Sequence, residues 1–150
     1  MSAKVDYAVR ALTELAAAAG TGPVKGEMIA ANQGMPLRFT ESILSDLRRA
    51  GLVASQRGAE GGYWLKVPAD TITVADVIRH VEGALADVRG EPPEEVAYGG
   101  VATPLQDVWI ATRATLRSVL ESVTVADIAA GTLPDTVRRL AADPDARSRR

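Results

Sequence analysis

The stretch from Ala50 to Leu65, AGLVASQRGAEGGYWL, limits the folds open to this chain more than any other part of it. Gly51 closes a preceding helix. Leu52-Val53-Ala54-Ser55-Gln56 and Tyr63-Trp64-Leu65-Lys66-Val67 place β-branched and aromatic residues where two short strands need them. Between them, Arg57-Gly58-Ala59-Glu60-Gly61-Gly62 can adopt the positive φ angles of a tight hairpin tip, and it carries one arginine there. Alone, the stretch fits an ordinary hairpin in a small α+β domain as well as a ribbon docked beside a basic helix. The flanking sequence decides between them.

Upstream, residues 3–19 repeat Val5, Ala8, Val9, Leu12, Leu15, Ala16 and Ala19 at the spacing of one helix face. Gly20-Thr21-Gly22-Pro23 ends that helix. A short second helix over residues 25–33 turns Met28, Ile29 and Ala31 inward and breaks at Gly34. Pro36 suits the first turn of a third helix that runs to about Ala50, with Leu37, Ile43, Leu44 and Leu47 inward. Arg38, Thr40, Glu41, Ser42, Ser45, Arg48 and Arg49 are left for its outer face. Helix, glycine turn and polar-faced helix read as a helix-turn-helix. Followed at once by the ribbon, the pattern predicts a winged helix-turn-helix over residues 1–67, whose third helix would enter a DNA major groove.

Downstream, Thr73-Val74-Ala75-Asp76 opens a helix with a capping box, Val74, Val77, Ile78 and Val81 inward and Gly83 at its end. The same four residue types, Thr124 to Asp127, open another short helix that ends at Gly131. This is one capping solution used twice, because the flanks show no repeat. Residues 84–102, rich in glycine, proline and acids, form a long loop of the kind that is either functional or mobile. Thr103 to Ser122 then carries Leu105, Val108, Trp109, Thr112, Leu116, Val119 and Leu120 on one stripe. Such a helix is roughly 30 Å long. Little of a single chain remains to cover it, so the stripe predicts pairing with the same helix of a second copy, against packing on the first helix within one chain. Residues 68–131 thus form an effector loop and dimerisation helices. Residues 132–150 read as a flexible tail, since the segment from Asp135 lacks periodicity. The expected fold class is mostly α with a small β-hairpin (α+β): a winged helix-turn-helix with a long C-terminal dimerisation helix.

Charge supports the same division. The formal net charge is −2, yet residues 1–66 carry eight Lys/Arg against six Asp/Glu, and residues 67–150 nine against thirteen. A mildly basic first half joined to an acidic second half suits a DNA reader attached to a sensing or dimerising part. Without cysteine there is neither a disulfide nor a thiolate-bound metal. No apolar run is long enough to cross a bilayer, and the N-terminus goes straight into amphipathic sequence, so the expected location is the cytoplasm. Little supports an enzyme. Ser45-Asp46 and the single histidine, His80, make no nucleophile–base spacing, and Gly58 to Gly62 lacks the Lys-Ser/Thr of a phosphate-binding loop. A winged-helix module that binds protein remains the alternative to a DNA reader.

Taken in order, Tyr7 to Leu12, Leu47 to Val53, the wing Arg57 to Leu65, Ile72 to Ile78 and Val81-Glu82-Gly83 resemble the Rrf-two family, the IscR/NsrR/CymR type of winged-helix transcription regulators. The resemblance spans nearly all of residues 3–131. It implies a homodimer that binds double-stranded DNA at a partly palindromic operator and usually represses transcription. It also implies that Glu41 and Ser42 read bases, with Arg38 one turn before Ser42. A carboxylate accepts from cytosine N4, which suits Glu41, and Arg57 with Gly58 at the wing tip suits a narrow minor groove. Thr40, Arg48, Arg49, Lys25 and Lys4 are expected as phosphate contacts or solubility charges, and Phe39 as a packing residue. Well-known members hold an iron–sulfur cluster on three cysteines in the loop that corresponds to residues 84–102. Asp6 matches a carboxylate ligand of some relatives, but without thiolates it holds no cluster, so no cofactor is expected. His80 is expected on or near the surface. Any signal would be a small molecule between the wing, the loop and the long helix near Trp109 and Tyr98, or a protein partner, or absent.

Overall fold

The computed structural model describes residues 1–148. Its first helix, α1 (Ala3–Ala17), begins at Ser2, whose hydroxyl accepts the Val5 amide at 3.3 Å. Val5, Ala8, Ala11, Leu12 and Leu15 of α1 are buried. Against this helix pack α2 (Gly26–Gln33), α3 (Leu37–Arg49), α4 (Val74–Val81), α6 (Val125–Ala130) and the second strand of the hairpin, so α1 is the central rod of the fold. A single buried cluster joins Leu12, Leu15, Ile29, Ile43, Leu44, Leu47 and Val53 to Ile72, Val77 and Val125. Each large aliphatic side chain removed from water there contributes about 1.5–3 kcal/mol. Residues after position 67 therefore share the core of the helix-turn-helix. A second cluster of Val5, Ala75, Ile78 and Leu85 meets Leu120 from the long helix.

The inward face of α3 departs from expectation at two positions. Thr40, expected outside, is 0% exposed, while Leu37 lies exposed at the helix start. The spacing explains Thr40, which stands three, four and seven residues before the buried Ile43, Leu44 and Leu47. Its hydroxyl donates to the Pro36 carbonyl at 3.0 Å, so it enters the core with its hydrogen bond satisfied. Pro36 itself is the N-cap, one residue before the first helical position. In α2, Ala30 is buried in place of Ala31, and Met28 is exposed, because eight residues hold too few apolar positions to fix a face.

Strands β1 (Val53–Gln56) and β2 (Gly62–Leu65) pair antiparallel in the register Val53↔Leu65 to Gln56↔Gly62. On the far edge of β2, Val24 and Tyr63 exchange both backbone hydrogen bonds at 2.8 Å, which lashes the α1–α2 connection to the hairpin.

Thr73 and Thr124 form the two capping boxes ahead of α4 and α6, and Gly131 closes α6 in the left-handed conformation. The long helix α5 (Leu105–Leu120) contains no buried residue. Its start clasps the loop over residues 84–102. The Gln106 side-chain amide donates to the carbonyls of Pro93, Glu94 and Val96 at 3.0–3.2 Å. Arg113 pairs with Glu94, and the Trp109 indole donates to the Tyr98 hydroxyl at 3.1 Å. Pro93 and Val96 are buried beneath this clasp.

The segment expected to be a flexible tail contains two helices, α7 (Asp135–Ala142) and α8 (Pro144–Arg147). Local signals account for them. Pro134 caps α7 and an Asp135–Arg138 pair lies across its first turn, while the Asp143 carboxylate accepts the Asp145 amide at the start of α8. These elements are too short for periodicity to reveal them. Arg149 and Arg150, the end of the expected tail, lie outside the described residues.

Candidate nucleic-acid interface

Helix α3 and the wing enclose a groove of about 500 Å³, lined by Lys25, Glu41, Arg48, Ser55, Arg57 and Gly58 among others. Arg38, Glu41 and Ser42 stand exposed on α3, and Arg57 is exposed at the hairpin tip. Among the described residues, the side chains of Arg38, Glu41 and Arg57 make no hydrogen bond or ion pair. They face solvent with their donors and acceptors unused. Arg48 is different, since its guanidinium donates to Ser55 Oγ at 3.1 Å and joins α3 to β1. Thr40 is removed from this set, because a fully buried hydroxyl cannot meet a phosphate.

The pose of the wing depends on Lys25 and on two glycines at its base. Lys25 donates its ammonium to the Gly58 carbonyl at 2.6 Å and so holds the tip. Gly61 and Gly62 are demanded by close backbone approach. A Cβ on Gly61 would lie 2.1 Å from the Gln56 carbonyl oxygen. On Gly62, at φ +151°, it would lie 2.6 Å from the carbonyl oxygen of Val24. Lys4 reaches Asp46 at 2.9 Å, and Arg49 pairs with the same carboxylate. The bond from Lys4, followed by that from Arg49, holds the Asp46 carboxyl below its ordinary range against a smaller opposing effect of burial. Both cations thus pair with one carboxylate on the surface of α3, with the Arg49 side chain still 71% exposed.

Arg10 was not singled out as a site residue, yet it organises the outer corner of the helix-turn-helix. It donates to Gln33 Oε1 at 3.1 Å and to the Gln33 carbonyl, pairs with Asp6 at 3.0 Å, and lies 5.3 Å from the Tyr7 ring centroid. Tyr7 in turn meets Phe39 edge-on at 5.5 Å and 84°, which gives Phe39 the expected packing role. Only the spacing of Asp6 and Arg10, four residues apart on one helix, could have hinted at the network.

On α5, Leu105, Trp109, Val119 and Leu120 are half-buried, while Val108, Thr112 and Leu116 are exposed. Val108 is 51% exposed and Leu116 39%, so the stripe is not covered within the chain. Thr112 donates its hydroxyl to the Val108 carbonyl at 2.8 Å. Trp109 and Tyr98 bond to each other and lie at neither of the two cavities described in this structure.

A family model described as "Rrf2: Iron-dependent Transcriptional regulator" matches residues 1–131. The chain belongs to the Rrf2 family. Among its relatives is a Mycobacterium tuberculosis (strain ATCC 25618 / H37Rv) protein provisionally named HTH-type transcriptional regulator Rv1287. It is 50% identical over 143 residues, covering 95% of this chain and 89% of that protein. Among solved structures, CymR (YrzC), the global cysteine regulator of B. subtilis, superposes with a TM-score of 0.76 at 36% identity, covering 88% of this chain and 97% of the other. IscR from T. potens gives 0.71 at 34% identity, covering 87% and 86%. This Rrf2 chain is thus a DNA-binding transcriptional regulator with a winged helix-turn-helix, as its residues led one to expect.

The iron in the family description does not fit this member. The chain has no cysteine, and the described residues contain no group of three or more His, Cys, Asp and Glu that could hold a metal ion. Asp6 is paired with Arg10, and in the loop Glu94 is paired with Arg113. Exposed His80 on α4 stands without such a group. No helix among the described residues is long and apolar enough to cross a membrane.

Proposed function

We propose that this Rrf2 protein is a sequence-specific transcriptional repressor that acts in the cytoplasm as a homodimer on a partly palindromic operator, without an iron–sulfur cluster and without catalysing a reaction. The observation that carries the reading is the pair of unpartnered side chains Glu41 and Arg57, exposed at one groove between α3 and the wing, with the unpartnered Arg38 side chain exposed on the same helix as Glu41. Arg57 and the amide-lined tip around Gly58 supply contacts in the minor groove, Arg38 and Arg48 favour phosphate, and Glu41 with Ser42 reads base edges. The exposed positions Val108, Thr112 and Leu116 of the α5 stripe support pairing with a second copy, which would give the two-fold symmetry a palindrome mirrors. A small molecule or a partner protein would set the operator occupancy.

The test is selection from randomised duplex DNA followed by mobility shift, with the wild type and with Glu41→Ala. A two-fold motif bound with a steep loss of affinity in rising salt supports the reading. The two proteins should return different motifs. Recovery of no motif by the wild type rejects sequence-specific binding, and an identical motif for both rejects Glu41 as a reader.

A further inference from the structure

A second cavity, of about 470 Å³, lies between the end of α1 and the hairpin and shares Gln56 and Tyr63 with the lining of that groove. Ala18 and Ala19 close it on the α1 side, Pro23 and Val24 come from the connection, and Trp64 and Leu65 come from β2. We propose that this cleft binds a small, neutral, largely apolar molecule and passes its occupancy to the wing.

Size and charge define the occupant. The volume falls within the roughly 300–1,000 Å³ common for small-molecule sites. No residue lining the cleft carries a charge at neutral pH, and the polar side-chain atoms on offer belong to Gln56, Tyr63 and Trp64. An ion entering would lose water without gaining a counter-charge, a penalty a neutral molecule escapes. Lys25, the cation next to Val24, is turned to the Gly58 carbonyl. Trp64 remains 38% exposed beside this opening, apolar surface that a ligand would cover. The ligand is therefore an aromatic or aliphatic compound with one or two hydrogen-bonding groups.

Position links the cleft to DNA. Val24 and Tyr63 hold each other through two backbone bonds, and the next residue, Lys25, holds the wing tip. A molecule wedged between α1 and β2 acts on both attachments of the hairpin. This second half of the proposal rests on the wing being a DNA contact.

The probes are benzyl alcohol, benzoate and benzylammonium, close in size and different in charge. Each is titrated into the full chain and followed by amide and indole NMR shifts. Saturable shifts at Ala18, Ala19, Val24, Leu65 and the Trp64 indole are expected for benzyl alcohol, with a dissociation constant on the order of millimolar for so small a probe. They should be absent for the two ions. Ala19→Asp places a charge in the cleft and should abolish the shifts, and Ala18→Leu should reduce them by filling space. No saturation, equal binding of the ions, or shifts centred on the Trp109 indole would overturn the site. For the coupling, affinity for the selected operator is measured at fixed salt with and without benzyl alcohol. A change of about fivefold or more in the wild type, absent in Ala19→Asp, supports it. Unchanged affinity despite occupancy overturns the coupling and leaves the site standing. A chain that binds the probe but no DNA defeats the operator reading instead.

Discussion

Thr73 and Thr124 face each other in an antiparallel bridge, so the two capping boxes of the chain are held together as a pair. The Val74 amide donates to the Val123 carbonyl, and the Val125 amide to the Ile72 carbonyl, each at 2.9 Å. The first turns of α4 and α6 are thereby stitched side by side, with α1 packed against both. Either cap lost singly, as Thr73→Ala or Thr124→Ala, should destabilise the fold by about 1 kcal/mol. Because the caps share this bridge, the double variant should depart from additivity by about 0.5 kcal/mol or more in urea unfolding. Strict additivity would show that the pairing carries no energy.

Asp76 completes the first of these caps, and its titration should be visible in acid. Burial pushes its carboxyl up, but the amide and hydroxyl of Thr73 together with Arg79 outweigh burial and leave it below the ordinary value of 3.8. A carboxyl depressed in the folded state contributes stability that is fully present above that value and is lost as pH falls through the lower folded-state value. Unfolding free energy should therefore decline as the pH drops below 3.8, and Asp76→Asn should flatten part of that decline. Identical acid profiles for the two proteins would remove Asp76 from the account.

The interface should separate Arg57 from Thr40. Arg57→Ala should weaken operator binding about tenfold or more at fixed salt, the scale of one lost direct contact. Thr40→Val keeps the shape of a buried side chain and removes only its bond to the Pro36 carbonyl. It should reduce stability by about 1 kcal/mol and leave operator affinity unchanged, as read by thermal unfolding beside a binding titration.

Gly62→Ala sets a methyl group against the Val24 carbonyl oxygen. The backbone must yield there, so a loss of about 1–3 kcal/mol is expected. Hydrogen exchange at the Val24 and Tyr63 amides should quicken at the same time, since these are the bonds the added methyl displaces. Unaltered exchange would mean that the connection and the hairpin are not lashed as described.

Leu116→Arg tests the stripe on α5. A charge on an exposed position should leave the fold of one chain intact while weakening self-association by at least about tenfold in sedimentation equilibrium. An unchanged dimer would place the contact elsewhere.

Much of the fold was legible because short-range signals agreed. The glycine-rich tip with strands on either side, the capping boxes at Thr73 and Thr124 and the inward positions Ile43, Leu44 and Leu47 each follow from residue type and spacing within one or two turns. At Thr40 polarity points outward and spacing points inward, and the spacing it shares with Ile43, Leu44 and Leu47 decides its place. The helices after Pro134 are too short to show a period at all.

What the sequence determined by itself is the order of elements, the wing and the want of any thiolate for a cluster, since each depends on residues close in the chain or on composition alone. What only the tertiary structure decided are the contacts between distant segments: Lys25 on the wing tip, Val24 along β2, the two threonine caps in one bridge, and the cleft beside Trp64. Periodicity can say which face of a helix turns inward. It cannot say which neighbour that face will meet, because that depends on how all the faces pack at once around α1.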